Sequence, residues 1–230
     1  MQAENDQLRA KYSDMWRTCG QNLRTGNYDP DSIPSHGDRR WGLSLVLRIG
    51  GSVRETLQTE LAMLAKLRRS PHLVYEPEHL HSTVRSLEGY QDHVPASQID
   101  HYVDQLRRVS RGLPQIEIGY AGISGSAAGI FACGYPSQSL NTLRQRLHED
   151  QLPFGALGMH GPEASFVRNN AHISLMVFRA PANAETEIAD YVADRSDAVY
   201  GKVRVTSLSL VRYRPTLNSV GLTDLASIPL

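Results

Sequence analysis

Two short patterns, His81-Ser82-Thr83 and His172-Ile173-Ser174, each place an imidazole two residues before a hydroxyl. Two positioned imidazoles can act as base and acid in one reaction, because an ordinary pKa of about 6.5 allows one ring to be neutral and the other protonated near neutral pH. Hydroxyls beside them can donate hydrogen bonds to oxygens on which charge develops. In a chain with nine histidines, His-x-[Ser/Thr] should arise by accident about once. The pair therefore gains meaning only from where the fold puts it.

The elements that must position these residues can be read from periodicity. Residues 79–87 alternate as a strand, so His81, Thr83 and Arg85 should share one face and Leu80, Ser82 and Val84 the other. Residues 171–178 read as a second strand, with His172 and Ser174 in front and an apolar back of Ala171, Ile173, Leu175 and Val177. A polar front with a buried back suits a strand lining a cleft. Around them, residues 41–49 read as a strand with Trp41, Leu43, Leu45 and Leu47 on one face, 53–67 as a helix, 99–109 as a helix and 115–123 as a strand. A second series follows: a strand through Cys133, a helix over 140–147, the strand with His172, a helix over 185–199 and a strand over 203–213. Equivalent elements lie about 84 to 91 positions apart, Trp41 with Gly129, Val53 with Ser137, His81 with His172 and Gln115 with Val203.

This order implies an α+β fold of two pseudo-symmetric β-α-β-α-β lobes with a central cleft. The lobes span about 41–123 and 128–214 of a bilobal catalytic domain over 41–214. The glycine-rich stretch 122–129 makes the turn between them. Residues 1–40 read as a helical extension and loop, with Leu8, Tyr12, Met15, Trp16, Cys19 and Leu23 forming one apolar stripe that docks on the protein's own core or on a partner. Residues 215–230 read as a tail.

Composition narrows the function classes. Lys+Arg 24 balances Asp+Glu 24, so no global positive field draws the chain to long duplex DNA or to an anionic membrane. Two cysteines, Cys19 and Cys133, are too few for a disulfide framework or a thiolate metal site and fit reduced thiols in the cytoplasm. The charged N-terminal segment lacks the apolar core of a signal peptide, and no run reaches the roughly 20 apolar residues of a membrane helix. His36, His72, His93, His101, His148 and His160 show no metal-ligand spacing and are expected at the surface. Neither a metal nor a cofactor is expected.

The paired motifs His81-Ser82-Thr83-Val84 and His172-Ile173-Ser174-Leu175, in a duplicated chain, resemble the 2H phosphoesterase superfamily, which includes RNA cyclic phosphodiesterases once named 2′-5′ RNA ligases. The approach Pro77-Glu78-His79-Leu80 to the first motif is also similar to that family, and the resemblance covers about residues 41 to 214. It implies metal-free cleavage of a 2′,3′-cyclic phosphate or a 2′-5′-type linkage in a small nucleotide or RNA terminus. His81 and His172 would be acid and base, and Thr83 and Ser174 would contact the phosphate. A noncatalytic nucleotide- or RNA-binding module of the same fold and an RNA-end ligase stand as alternatives. Arg85 is a candidate for neutralising phosphate charge, and Phe154 and Phe166, in the loop before the second motif, are candidates for stacking on a base. On the last strand Lys202, Arg204, Arg212 and Arg214 share one parity and make a basic stripe, with substrate contact and solvated strand charge as its two readings.

Overall fold

The alternations and helical stripes of the sequence become nine strands and five α-helices among the described residues, 2–150, 163, 165–180 and 183–230 of a computed structural model. Helix α1 (Gln2–Thr25) is followed by strand β1 (Leu43–Arg48), α2 (Gly51–Leu67), β2 (Leu73–Val74), a 3₁₀ turn (Pro77–His79) and β3 (His81–Ser86). Next come α3 (Ala96–Val109), β4 (Ile116–Ser126), β5 (Gly129–Pro136), α4 (Gln138–Glu149) and β6 (Ile173–Val177). The chain closes with α5 (Thr186–Asp194), β7 (Val199–Val205), β8 (Ser207–Pro215) and β9 (Val220–Pro229). No helix among the described residues is long and apolar enough to cross a membrane.

Each helix lays an apolar stripe on the sheet. In α2, Val53, Leu57, Leu61 and Leu64 are buried, and in α4 Leu140, Leu143 and Leu147 are, the spacing expected of one helix face. The predicted helix over 185–199 stops at Asp194 because the alternating run that begins at Val199 belongs to a strand. The strand expected over 203–213 is two strands, β7 and β8, with only Thr206 between them. The residues read as a tail instead form β9, paired with β8 along its whole length.

The strands join in the order β7-β4-β5-β6-β3-β1-β8-β9, with β2 beside β6. The two lobes are thus β6-β5-β4-β7 and β3-β1-β8-β9, pseudo-symmetric as expected but with one exchange. β4 comes from the first sequence repeat and β8 from the second, yet each pairs in the other repeat's lobe. The cause is local: only Ala127 and Ala128 separate β4 from β5, and so short a link makes its two strands antiparallel neighbours. The expected glycine-rich turn is mostly strand. Its glycines serve close approach, since a Cβ on Gly125 would lie 2.5 Å from the Cys19 sulfur of α1.

Helix α1 packs on the protein's own β4, β5 and α5. Leu8, Tyr12, Cys19 and Leu23 are buried. The Tyr12 hydroxyl donates to the Gly134 carbonyl at 3.0 Å, and the Ser124 hydroxyl donates to the Tyr12 carbonyl at 2.9 Å. The loop after α1 is fastened by a residue expected at the surface. His72 is fully buried, its Nδ1 accepting from the Arg179 amide at 3.1 Å and its Nε2 donating to the Tyr28 hydroxyl at 3.0 Å. Burial lowers its pKa, as expected of an imidazole that packs as a neutral ring between Tyr28 and Phe178.

Candidate active site

The lobes meet where β3 and β6 run side by side, through the ladder pair Ser82 with Ile173. Carrying that antiparallel register one residue each way sets His81 across from Ser174 and Thr83 across from His172. Side chains directly opposite share a face. His81, Thr83, His172 and Ser174 all line one cleft of about 280 Å³. Ser82 and Ile173 point the other way and are buried.

Arg85 does not join them. β1 pairs Leu45 with Arg85 and then Val46 with Thr83, so Val84 is an extra residue in β3 and the alternation changes phase there. The cleft is lined by His81 and Thr83 before the bulge and by Ser86 and Glu88 after it. Arg85 is buried elsewhere, with Nη2 donating to the Glu163 carbonyl at 3.3 Å. Phe166 is 50% exposed and absent from the cleft wall, and Phe154 lies outside the described residues. The expected basic stripe is split, because Lys202 and Arg204 stand on β7 and Arg212 and Arg214 on β8, in different lobes.

His81 is held at both nitrogens. Nδ1 lies 2.8 Å from the His79 carbonyl oxygen, which can only accept, so Nδ1 carries the proton. Nε2 is then the acceptor, and the Tyr213 hydroxyl donates to it at 2.8 Å. Tyr213 is itself hydrogen-bonded by Thr83, which completes a chain from Thr83 through Tyr213 to His81. Burial pushes the His81 pKa down to about 4, with the Arg48 charge adding to the effect and the His79 carbonyl opposing it.

His172 sits in a different setting. Its ring packs 4.8 Å from the Phe131 ring, and its buried Nδ1 has no hydrogen-bond partner among the described residues. Burial, then the charges of Arg168, His81, Arg144 and Lys11, push its pKa down to about 3. Both imidazoles are therefore neutral near pH 7.

Two arginines that sequence reasoning missed shape this field. Arg168 lines the cleft, its Nε donating to Glu163 Oε1 at 2.9 Å. Its signal was its place four residues before His172. Arg144 is buried beneath the cleft floor, donating from Nε to the Val84 carbonyl at 3.0 Å and from Nη2 to the Thr83 carbonyl at 2.8 Å. It thereby braces the bulge that aims Thr83. Burial pulls its own pKa down to about 9. Nothing in a helix pattern sets Arg144 apart, because it follows the buried Leu143 like any flanking charge. Tyr213 was legible only as the residue between Arg212 and Arg214, on the opposite parity.

No protein-family model matches the chain, and no curated protein matches it. Solved structures do. The chain superposes on TT0787 of Thermus thermophilus with a TM-score of 0.60 at 20% identity, over 82% of this chain and 97% of that one. It superposes on E. coli LigT complexed with 3′-AMP with a TM-score of 0.50 at 17% identity, over 83% and 98%, and on LigT complexed with phosphate with a TM-score of 0.50 at 15% identity, over 82% and 96%. The architecture is thus the fold of TT0787 and LigT, with an N-terminal helix.

Proposed function

We propose that the cleft hydrolyses a phosphodiester, a 2′,3′-cyclic phosphate or a 2′-5′-type linkage in a small nucleotide or an RNA end, by acid/base catalysis between His81 and His172. The observation that supports this most directly is the convergence of both His-x-hydroxyl motifs on one cleft, each histidine across the strand pair from the other motif's hydroxyl. E. coli LigT, which shares this fold, was solved in complex with 3′-AMP and with phosphate, and that supports a phosphorylated ligand for this cleft.

In this reading the phosphoryl group lies between the imidazoles, and the Thr83 and Ser174 hydroxyls donate to its nonbridging oxygens. One imidazole takes a proton from water as the new P–O bond forms, and the other delivers a proton to the departing 2′ or 3′ oxygen as the old bond breaks. We assign the base to His81, because the His79 carbonyl keeps the proton on Nδ1 and leaves the Nε2 lone pair toward Tyr213 and the cleft. The acid is then His172, which must be protonated. Burial is the main cause that keeps this ring neutral, with the Arg168 and Arg144 charges adding to it, and an anion bound in the cleft favours its protonation by opposing those charges.

The test is turnover of 2′,3′-cyclic nucleotides, 2′-5′ dinucleotides and RNA ending in a cyclic phosphate, assayed in EDTA. Hydrolysis to monophosphates in the chelator is the expected result. Binding without turnover across the whole panel, or turnover only with added divalent metal, would remove the proposal.

A further inference from the structure

The cleft extends past the histidines to Trp41, a residue that alternation places on one strand face with Leu43, Leu45 and Leu47. It stands before that strand instead, half-buried and packed against the core from the cleft side. β1 begins only at Leu43, and Trp41 is the sole non-glycine residue with a positive φ, 63°, among those described. That backbone conformation is uncommon for a bulky aromatic residue and tends to persist where the surroundings enforce it. The enforcing contact is next door. A Cβ on Gly42 would sit 2.1 Å from the Gly89 carbonyl oxygen, so the chain is pressed against residues 88–89 and Trp41 takes up the turn.

The result is an indole on the cleft wall, half-buried, with three further features. A planar cation already lies over it, the Arg40 guanidinium at 5.3 Å, held from behind by Asp31 at 2.6 Å. Its Nε1 is buried without a hydrogen-bond partner among the described residues. Its ring is 5.4 Å from the Tyr213 ring, which is in turn 5.4 Å from His81. Trp41 therefore stands one aromatic ring beyond the proposed base, on the wall of the same cleft.

We propose that Trp41 with Arg40 forms a nucleobase subsite, so that the ligand of this cleft is a nucleotide recognised by stacking rather than a base-free phosphodiester. The proposal rests on the phosphodiester reading only for where the phosphate sits. Stacking on a flat indole tolerates any base and prefers the larger purines. It also gives this chain the aromatic platform that Phe166 does not supply.

The chain has two tryptophans, and Trp16 lies on α1 against Gly20, off the cleft wall. In Trp16→Phe all indole emission comes from Trp41. Titration with adenosine 2′-monophosphate should change that emission saturably, whereas ribose 5-phosphate and inorganic phosphate should leave it nearly unmoved and bind roughly tenfold to a hundredfold more weakly. In parallel, Trp41→Leu should cut the kcat/KM preference for an adenosine 2′,3′-cyclic phosphate over ribose 2′,3′-cyclic phosphate by about tenfold. Equal affinity for the three ligands with unmoved emission overturns the subsite, whatever Trp41→Leu does to folding. Turnover without base preference removes the subsite and keeps the phosphodiesterase. Adenylate stacking on Trp41 without turnover keeps the subsite and removes the phosphodiesterase.

Discussion

The two motif strands occupy equivalent places in their lobes, yet they treat their histidines differently. On β3, His81 is hydrogen-bonded at both nitrogens, and the bulge beside it is braced by Arg144. Just before β6, the His172 ring leans on Phe131 with Nδ1 unpartnered among the described residues, and burial, then the Arg168 charge that also reaches His81, lowers its pKa. Backbone pseudo-symmetry brings the pair together, and the surrounding side chains make the members unequal. A reaction that needs opposite protonation states requires that inequality.

The sharpest way to break the comparison is to delete each imidazole. His81→Ala and His172→Ala should each lower kcat by about 10²- to 10⁴-fold on a cyclic-phosphate substrate. The double variant should fall little below the worse single one, because the groups act as a unit. Additive losses in steady-state kinetics would mean that the two rings serve separate steps.

Next in size is Arg144, which among the described residues reaches β3 through its hydrogen bonds. Arg144→Met leaves the Thr83 and Val84 carbonyls without their donors, and should cost roughly 2 to 4 kcal/mol of stability by urea unfolding. At temperatures where the variant remains folded, kcat should fall more than KM rises, because Thr83 loses its aim. A variant with wild-type stability and kcat would show that the bulge holds itself.

A smaller effect is expected at Tyr213. A donor to Nε2 favours neutral His81, so Tyr213→Phe should move the acid limb of the kcat/KM profile upward and leave the basic limb in place. Movement of the basic limb instead would exchange the assignments of His81 and His172.

How much of this could be read beforehand follows from the range of the interactions involved. The order of elements up to the strand beginning near Val203, apart from the short β2, the equivalence of His81 with His172 and the amphipathic docking of α1 are local or periodic properties, and these were legible. The exchange of β4 and β8 between lobes was not, because pairing partners are chosen in space. The clue lay in the two residues between β4 and β5. A single inserted residue, Val84, took Arg85 off the cleft face, since one bulge reverses every alternation beyond it. The positive φ at Trp41 took that residue off the strand face of Leu43, Leu45 and Leu47 for a related reason. Arg144, Arg168 and Tyr213 reach the histidines from other elements, so only the assembled lobes reveal them.

The gentlest probe of the comparison uses acid. Burial holds His81 at about 4 and His172 at about 3, below the roughly 6.5 of an unfolded chain. As pH falls below 6.5 the unfolded state takes up protons first, so stability falls with pH. The contribution of neutral burial is complete above about 6.5, and it is lost down to about 4 for His81 and about 3 for His172. His81→Gln and His172→Gln, measured by urea unfolding from pH 7.5 to 3.5, should therefore lose less stability on acidification than the wild type. The relief in His172→Gln should keep growing below pH 4, where that in His81→Gln has levelled off. Parallel curves for the two variants would mean that burial and the nearby charges do not separate the histidines, and the case for unequal roles would lose its electrostatic half.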